Sequence, residues 1–360
     1  MALDFEGLLH LAVERNASDV HLKVGCSPLL RVDGRLEWIE DMDVVTGGDL
    51  FSIIDMLADE HSRIDFQKQM EMDVSYMLKD VSRFRVNISM DDGKPRIVMR
   101  TVPLVAPELG ELNLPPILAR ICSLRNGLVL FTGPTGSGKS TSLAAMINRI
   151  NSMRTDHIVT IEDPLEFMHP NKKGIVTQRE VGQDTLSFAN AMRAALRQDP
   201  DVILIGEMRD SETVRIALSA SETGHLVLST LHTVDAVETL HRILEFFESD
   251  QQTQIRNQLA SVLRCVCSQR ILPLSEGAGR IVAAEILIGT RTVREFIQQS
   301  RPFKEIVKLI EEGKDQYGMQ TFDQSLYDLW KADKISKETA LEHASSAKDL
   351  QLRMQGLTRR

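Results

Sequence analysis

The chain of 360 residues carries a net charge of −9, and 42% of its residues are hydrophobic and 26% charged. This composition is ordinary for a globular protein of about two domains. The acidic balance argues against a nucleic-acid-binding protein, which needs a basic surface, and the apolar runs are too short to span a bilayer. Four cysteines without a C-x-x-C pair argue against a zinc site and, with no signal-peptide pattern, favour the reducing cytoplasm.

The first 102 residues predict a small α+β domain. Apolar residues at helical spacing predict a helix over 5–15. The elements that follow in chain order are a strand over 19–24, a hairpin over 29–39 with Asp33 and Gly34 at its turn, a helix over 48–60, and strands over 72–78, 83–90 and 96–102.

A linker and a second domain follow. Residues 103–116 contain four prolines and predict an extended linker. From residue 117 to 360, strands alternate with helices, which is typical of an α/β domain with a mostly parallel sheet. The strands are predicted over 128–132, 157–162, 202–205 and 225–231, the helices include 186–197 and 212–222, and a hairpin over 266–272 and 280–288 precedes further helices. An apolar stripe at Phe322, Leu326, Leu329 and Trp330 predicts a packing face rather than a partner site.

The most specific local signal is the stretch 133–140, which fits the P-loop pattern G-x-x-x-x-G-K-[ST] between a predicted strand and a predicted helix. Its glycines let backbone N–H groups and the helix dipole surround phosphate oxygens. We expect Lys139 to reach the β- and γ-phosphates and the Ser140 hydroxyl to bind Mg²⁺. The expected nucleotide-binding residues are Gly133, Pro134, Thr135, Gly136, Ser137, Gly138, Lys139, Ser140 and Thr141.

Nucleotide hydrolysis needs, in addition, a carboxylate that positions or deprotonates water. Glu162 and Glu207 follow predicted strands, at the carboxyl ends where such groups lie in open α/β sheets. The run before Glu207 resembles a Walker B strand with Gly206 in the usual place of aspartate, so Glu207 is expected to contact the metal beside Ser140, directly or through water. The spacing leaves open which carboxylate activates water. His232, at another strand end, is either a phosphate sensor or a plain polar residue.

Arginines line one face of the sheet predicted for the first domain. Strand alternation turns Arg85 to the face opposite Phe84 and Val86, and turns Arg100 of the next strand to the face opposite Met99. Two interpretations stay open. The arginines belong to a solvated face, or they are arginine fingers that reach a phosphate in a neighbouring subunit.

Taken together, these motifs resemble, in order, those of the PilT/PilU-class twitching-motility ATPases of the type II/type IV secretion ATPase family. The matching stretches are 133–141 for the Walker A motif, 160–166 for the Asp box, 206–210 for the Walker B motif and 222–233 for the His box. Residues 177–182 and 196–201 are also typical of the family, and 318–323 resemble a segment of its retraction branch. Gly206 is then a trait of the family.

The resemblance implies the fold class α/β, with a PAS-like N-terminal α+β domain over 1–102, a linker over 103–116, and a RecA-like P-loop ATPase domain with a C-terminal helical region over 117–360. It implies a homohexamer that binds ATP and Mg²⁺ between its domains, with Arg85 and Arg100 as arginine fingers in trans. Lys139, Glu162, Glu207 and His232 are the other expected catalytic residues. The expected activity is ATP-driven type IV pilus retraction, in the cytoplasm and peripheral to the inner membrane, on a membrane platform protein and without nucleic acid.

Two segments leave the exact role open. The retraction branch often carries Ala-Ile-Arg-Asn-Leu-Ile-Arg-Glu where this chain has 291–298, and residues 320–327 are closer to the accessory PilU type. The chain is expected to be either the principal retraction motor or an accessory nucleotide-binding subunit that depends on a paralogous retraction ATPase. The absence of a paired-cysteine zinc motif disfavours a pilus assembly or secretion ATPase, and the acidic charge disfavours a RecA-type helicase.

Overall fold

The computed structural model describes residues 3–32, 34–58, 60–79, 81–276, 279–299 and 301–357. The chain separates into two compact units. The first runs to Val105 and includes Glu166–Met168, and the second comprises Ala106–Leu165 and the residues from His169 onward. Each unit is built around a sheet of its own. Within the described ranges, no helix is long and apolar enough to cross a bilayer.

The first unit is an α+β domain on one antiparallel sheet. In chain order its described elements are α1 (Phe5–Glu14), β1 (Asp19–Lys23), β2 (Leu29–Val32), β3 (Arg35–Trp38), α2 (Gly47–Leu57), α3 (Glu60–Gln69), β4 (Glu71–Leu78), β5 (Ser82–Asp91) and β6 (Lys94–Val102). The strand order is β3-β2-β1-β6-β5-β4, and every neighbouring pair is antiparallel. The predicted hairpin is confirmed as β2 and β3, whereas its turn residue Asp33 lies outside the described residues.

The predicted helix over 48–60 is wrong at its C-terminal end. α2 ends at Leu57, because Ala58 takes an extended backbone conformation (φ −103°, ψ 132°), and α3 follows as a separate helix. The sequence of α3 is polar except for Ile64 and Phe66, so it carries no apolar period that would indicate a second helix.

Strand alternation decides which face of this sheet is buried. Phe84, Val86 and Ile88 on β5 are fully buried and belong to one core with apolar residues of α1 and α2. Arg85 and Asn87, which alternate with them, are exposed. The predicted apolar and polar faces of β5 are therefore confirmed.

The second unit is an α/β domain that continues into a helical C-terminal region. In chain order its described elements are a 3-10 helix (Leu109–Leu112), α4 (Ile117–Ile121), β7 (Gly127–Thr132), α5 (Lys139–Met153), β8 (His157–Glu162), β9 (Ile175–Glu180), α6 (Phe188–Ala195), β10 (Val202–Ile205), α7 (Ser211–Glu222), β11 (Leu226–Leu231), α8 (Ala236–Glu245), α9 (Ser249–Val262), β12 (Leu263–Pro273), β13 (Arg280–Ile288), α10 (Arg291–Gln298), a 3-10 helix (Phe303–Glu305), α11 (Ile306–Glu312), α12 (Lys314–Tyr317), α13 (Phe322–Lys331), α14 (Lys337–Glu342) and α15 (Ala347–Met354).

The sheet of the second unit has the order β13-β12-β7-β11-β10-β8-β9, and β13 alone among these strands is antiparallel to its neighbour. This confirms the mostly parallel sheet. The chain leaves β7 for β8 on one side and returns to β12 on the other, so β7 lies at a point where the strand order reverses. Ligands of open α/β sheets bind outside the carboxyl ends of the strands at such a point.

β9 is a strand that the sequence did not indicate. It forms the outer strand beside β8, and most of its residues are half-buried without alternation. The fully buried strands β7, β10 and β11 were predicted because their residues form continuous apolar runs. Edge position and partial burial remove that signal from β9.

The hairpin of β12 and β13 supports the C-terminal helices. Phe322 and Leu326 on α13 are buried, while Leu329 and Trp330 are half-buried and pack against the same cluster as Leu272 of β12. The apolar stripe is therefore confirmed as a packing face.

Three of the four cysteines are buried thiols. Cys122, Cys265 and Cys267 are buried and Cys26 is half-buried, and none forms a disulfide. Burial raises the pKa of the Cys122 thiol to about 11. It also raises the pKa values of Cys265 and Cys267.

Candidate nucleotide-binding site

The P-loop connects the carboxyl end of β7 to the first turn of α5. Three of its residues, Gly133, Gly136 and Gly138, have positive φ angles of 139°, 81° and 88°. A Cβ atom on Gly133 would lie 2.5 Å from the carbonyl oxygen of Gln269. Only glycine fits that position without moving the backbone of β12, so the loop has its shape for a steric as well as a conformational reason.

The side chains of the motif gather at the N-terminus of α5. Lys139 is 7% exposed, and its Nζ donates to the carbonyl oxygens of Gly133 at 2.8 Å and Pro134 at 2.9 Å. Ser140 and Thr141 are half-buried in the first turn of this 15-residue helix. The helix dipole and the orphan N–H groups of that turn favour an anion there.

The two candidate carboxylates lie at the same edge of the sheet as the P-loop. Glu162 ends β8, and Glu207 follows β10, which pairs in parallel with β8. Gly206 separates Glu207 from β10, and a Cβ on Gly206 would lie 3.3 Å from both Glu162 Cα and Ile161 O. An aspartate in this place would press on the backbone of β8, which gives a local reason for the glycine.

Glu207 lies between two basic side chains. Its side chain is 14% exposed and forms an ion pair with Arg209, and its Oε2 lies 3.5 Å from Nε2 of His232. The hydrogen bond to Glu207 raises the pKa of Arg209, and Arg209 Nη1 also lies 4.0 Å from Asp163 Oδ2. The structure thus brings Glu207 and His232 together. Arg209 was not singled out from the sequence, although it lies within the Walker B-like stretch.

A buried chain of hydroxyl groups lies beneath the P-loop. Thr132, directly before Gly133, is 2.8 Å from Ser268 on β12 and 3.5 Å from Thr239 on α8. Thr239 is in turn 2.7 Å from Thr233, the residue after His232. The P-loop and the loop after β11 are therefore linked through buried side chains. No sequence signal indicated this chain, because its members come from four separate elements.

Arg85 and Arg100 belong to the first unit, whereas the P-loop belongs to the second. They are direct register partners on β5 and β6, and both are exposed. Arg100 Nε donates to Oδ1 of Asp19 at 3.0 Å, and Asp19 is buried. The structure therefore brings these two arginines together on one face of their sheet.

A family model described as type II/IV secretion system protein matches residues 4–325 of this chain. The chain belongs to that family. This secretion-family chain is 42% identical over 342 residues to the type IV pilus retraction ATPase PilT of Pseudomonas aeruginosa, covering 95% of this chain and 98% of PilT. It is 40% identical over 350 residues to the type IV pilus ATPase PilU of Pseudomonas aeruginosa, covering 97% of this chain and 91% of PilU.

A crystal structure of the pilus retraction motor PilT with bound ADP has the same fold as this secretion-family chain. The TM-score is 0.90 at 41% identity, covering 97% of this chain and 99% of that one. The fold class is therefore confirmed: a PAS-like N-terminal α+β domain is followed by a RecA-like P-loop ATPase domain. The predicted membership of the family is confirmed by the same matches.

Proposed function

We propose that this chain is an ATP hydrolase, a motor that powers type IV pilus retraction. The observation that carries the proposal is the match to PilT over nearly the whole of both chains. The P-loop at the N-terminus of α5, facing the same sheet edge as Glu207 and His232, supports it from the chain's own residues.

Residues 133–141 would hold the nucleotide. Backbone N–H groups of the loop and Lys139 would contact phosphate oxygens, and the Ser140 hydroxyl and Glu207 would hold Mg²⁺. One hydroxyl and one carboxylate leave most positions around the ion to phosphate and water, which is how Mg²⁺ is usually bound. Within the described ranges, no group of three or more His, Cys, Asp or Glu side chains could hold a metal by itself, so the donor set fits a metal that arrives with its nucleotide.

Glu162 and Glu207 are both candidates for the activation of water. Each lies at the carboxyl edge of the sheet, and Glu207 is in addition held between Arg209 and His232. His232 would respond to the γ-phosphate through Glu207, which lies 3.5 Å from its Nε2. A bound Mg²⁺ would supply charge that stabilises the transition state, and a fixed carboxylate would orient the attacking water.

The active form is a homohexamer in which Arg85 and Arg100 reach the nucleotide of a neighbouring subunit. Their exposure side by side on one sheet supports this role, because an arginine finger must extend beyond its own domain. The ring works in the cytoplasm at the inner membrane and acts on the pilus platform protein.

A second candidate is an accessory, PilU-like subunit that depends on a paralogous retraction ATPase. The 40% identity to PilU over 97% of the chain supports it. Retraction scored after deletion of the gene, alone and together with its paralogue, separates the two roles. A principal motor is required in both backgrounds, whereas an accessory subunit matters only beside its partner.

Phosphate release by the purified chain tests the ATPase function itself. We expect steady-state turnover with ATP and Mg²⁺, and we expect Lys139→Ala to abolish it, because Lys139 is the charge that contacts the β- and γ-phosphates. Wild-type turnover no higher than that of Lys139→Ala would contradict the proposal.

A further inference from the structure

The segment 318–323, typical of the retraction branch, has no place in the nucleotide site. In the structure this segment is hydrogen-bonded to β13, the outer strand of the sheet of the second unit. The backbone of Gln320 exchanges two hydrogen bonds with Ile286 of β13, at 2.8 and 3.2 Å, and its side-chain Nε2 donates to Ala284 O at 2.7 Å. The segment leads directly into α13.

The residue between those two anchor points, Glu285, is a buried carboxyl group. Glu285 is 6% exposed, and its Oε1 accepts from the backbone N–H of Ala236 at 2.9 Å. The backbone N–H of Phe322 also stabilises the charged form of this carboxylate. Ala236 is the first residue of α8 and Phe322 the first of α13. One carboxyl group therefore interacts with the N-termini of two helices that are far apart in sequence.

α8 begins directly after the loop that carries His232, and it contacts that loop. Its N-terminus lies four residues after His232, and Thr239 in its first turns contacts Thr233 of that loop. On the sheet, Glu285 is the register partner of Ser268, whose hydroxyl is bonded to Thr132 beside the P-loop. A movement of the loop after β11 would therefore change the contacts of Glu285.

The charges around Glu285 come from two elements. Asp235, which precedes α8, raises its pKa, while Arg270 of β12 and the N–H groups of Ala236 and Phe322 lower it. Burial raises the pKa of Cys267 on β12, and Cys265 and the charge of Glu285 raise it further. Burial is the largest effect, and the pKa of Glu285 lies at about 7. Since the charged form accepts hydrogen bonds more strongly than the neutral acid, ionisation of Glu285 strengthens its bonds to the two helix ends, while burial of the charge opposes ionisation more strongly.

We propose that Glu285 is a positioning residue that couples the loop carrying His232 to the C-terminal helices α13–α15. A change at the nucleotide site is passed through α8 and Glu285 to α13. The proposal rests on the proposed ATPase function, because it assigns regulation to that same site. In this proposal, the segment 318–323 places the N-terminus of α13 against Glu285.

Trp330 on α13 offers a direct optical test of this coupling. The chain has two tryptophans, and the other, Trp38, is 55% exposed in the first unit. In a Trp38→Phe background, we expect ATP and ADP to change the emission of Trp330, and we expect Glu285→Ala to abolish that change while nucleotide affinity stays within about twofold. Glu312→Gln, an exposed carboxylate of the same unit, should retain the full response. No response in the Trp38→Phe protein, or the same response in Glu285→Ala, would overturn the proposal.

Steady-state kinetics provide a second test, because a Glu285 with a purely structural role would not change kcat independently of stability. We expect Glu285→Gln to lower kcat about fivefold or more with little change in KM, because coupling and not nucleotide binding is lost. Between pH 6 and 8, the kcat profile of the wild type should differ in shape from that of Glu285→Gln, because only the wild type ionises at this position, while any contribution of His232 is common to both proteins. Equal pH profiles, or a joint fall of kcat and melting temperature, would assign Glu285 to structure alone. Absent turnover in the wild type would contradict the ATPase function, and the fluorescence experiment would then decide the coupling.

Discussion

Glu207 is the carboxylate with the most defined surroundings at the sheet edge. It is mostly buried, paired with Arg209, and 3.5 Å from His232. Both partners are basic residues that contact the carboxylate, so it is held in a fixed direction at the carboxyl edge of the sheet. A base that activates water gains from such fixation, because its reacting oxygen need not be reoriented during the reaction.

Glu207→Ala should abolish turnover and preserve nucleotide binding. Loss of a catalytic base or metal contact slows chemistry by about a hundredfold or more, whereas the N–H groups of the P-loop and Lys139 still contact phosphate. Phosphate release and equilibrium dialysis with labelled ADP measure the two effects. Glu212→Ala, an exposed glutamate five residues further on, is the control that should behave as wild type. Loss of ADP binding in Glu207→Ala would contradict the catalytic role.

Glu285 should make the stability of the fold depend on pH. Its ordinary pKa of 4.5 is raised to about 7 in the folded chain, so the folded state binds the proton more tightly than the unfolded state. The resulting stabilisation is complete below pH 4.5 and is lost as the pH rises through 7, and it amounts to about 3 kcal/mol. Urea unfolding of the wild type and of Glu285→Gln at a series of pH values should show the unfolding free energy of the wild type falling relative to that of the variant towards pH 8. A constant difference between the two proteins would contradict the prediction.

The P-loop residues could be named from the sequence because the motif is local, with strand, loop and helix following one another in the chain. The partners of Thr132 and Glu285 could not. Thr132 meets a residue 107 positions away, and Glu285 meets one 49 positions away. Such contacts depend on the strand order, which no local pattern fixes.

At the scale of elements, α5 links the P-loop by hydrogen bonds to two separate chain segments of the second unit. Its buried Asn148 donates to Ala106 O at 3.3 Å and to Glu108 Oε1 at 3.1 Å. One turn later, Asn151 donates to Pro170 O at 2.8 Å. The helix that begins at the P-loop therefore holds both segments next to the points where the chain passes between its units.

Asn148→Ala should destabilise the second unit by about 1–3 kcal/mol, because Ala106 O loses a buried hydrogen-bond donor. Thermal and urea unfolding measure the loss. Asn190→Ala on α6 removes an exposed asparagine and should change the unfolding free energy little. Equal effects of the two substitutions would show that the contacts of Asn148 contribute nothing specific.

Elements with strong periodicity could be predicted, and those without it could not. The apolar runs of β7, β10 and β11 and the alternation of β5 gave correct strands. β9 at the sheet edge and the polar helix α3 gave no such pattern. In both, tertiary contacts rather than local sequence decide the conformation.

For the whole molecule, the arginines of the first unit raise the question of which subunit completes each site. Arg85 and Arg100 stand side by side on one sheet face, and the P-loop belongs to the other unit of the chain. The inclusion of Glu166–Met168 in the first unit could not be predicted from the sequence. That inclusion depends on contacts such as the hydrogen bond of Met168 N to Pro103 O.

Mixed rings should reveal the trans role of Arg85. Arg85→Ala and Lys139→Ala are each expected to be inactive alone, and a co-assembled one-to-one mixture should recover about a quarter of the wild-type sites, because complementary neighbours rebuild a complete site. Phosphate release by the mixture measures the recovery. Asn87→Ala, on the same face of β5, should be active alone. A mixture no more active than its components would contradict the assignment in trans.

The burial of three cysteines determines which thiols of the folded protein react with alkylating reagents. Thiolate is the reactive form, and burial keeps Cys122, Cys265 and Cys267 protonated and out of reach. Brief treatment of the folded protein with iodoacetamide should alkylate Cys26, and treatment in denaturant should alkylate all four. Alkylation of a buried cysteine at the same rate would contradict this selectivity. A dye attached to Cys26 would therefore label the first unit of the chain without any engineered substitution, and could report on that unit in single-molecule experiments.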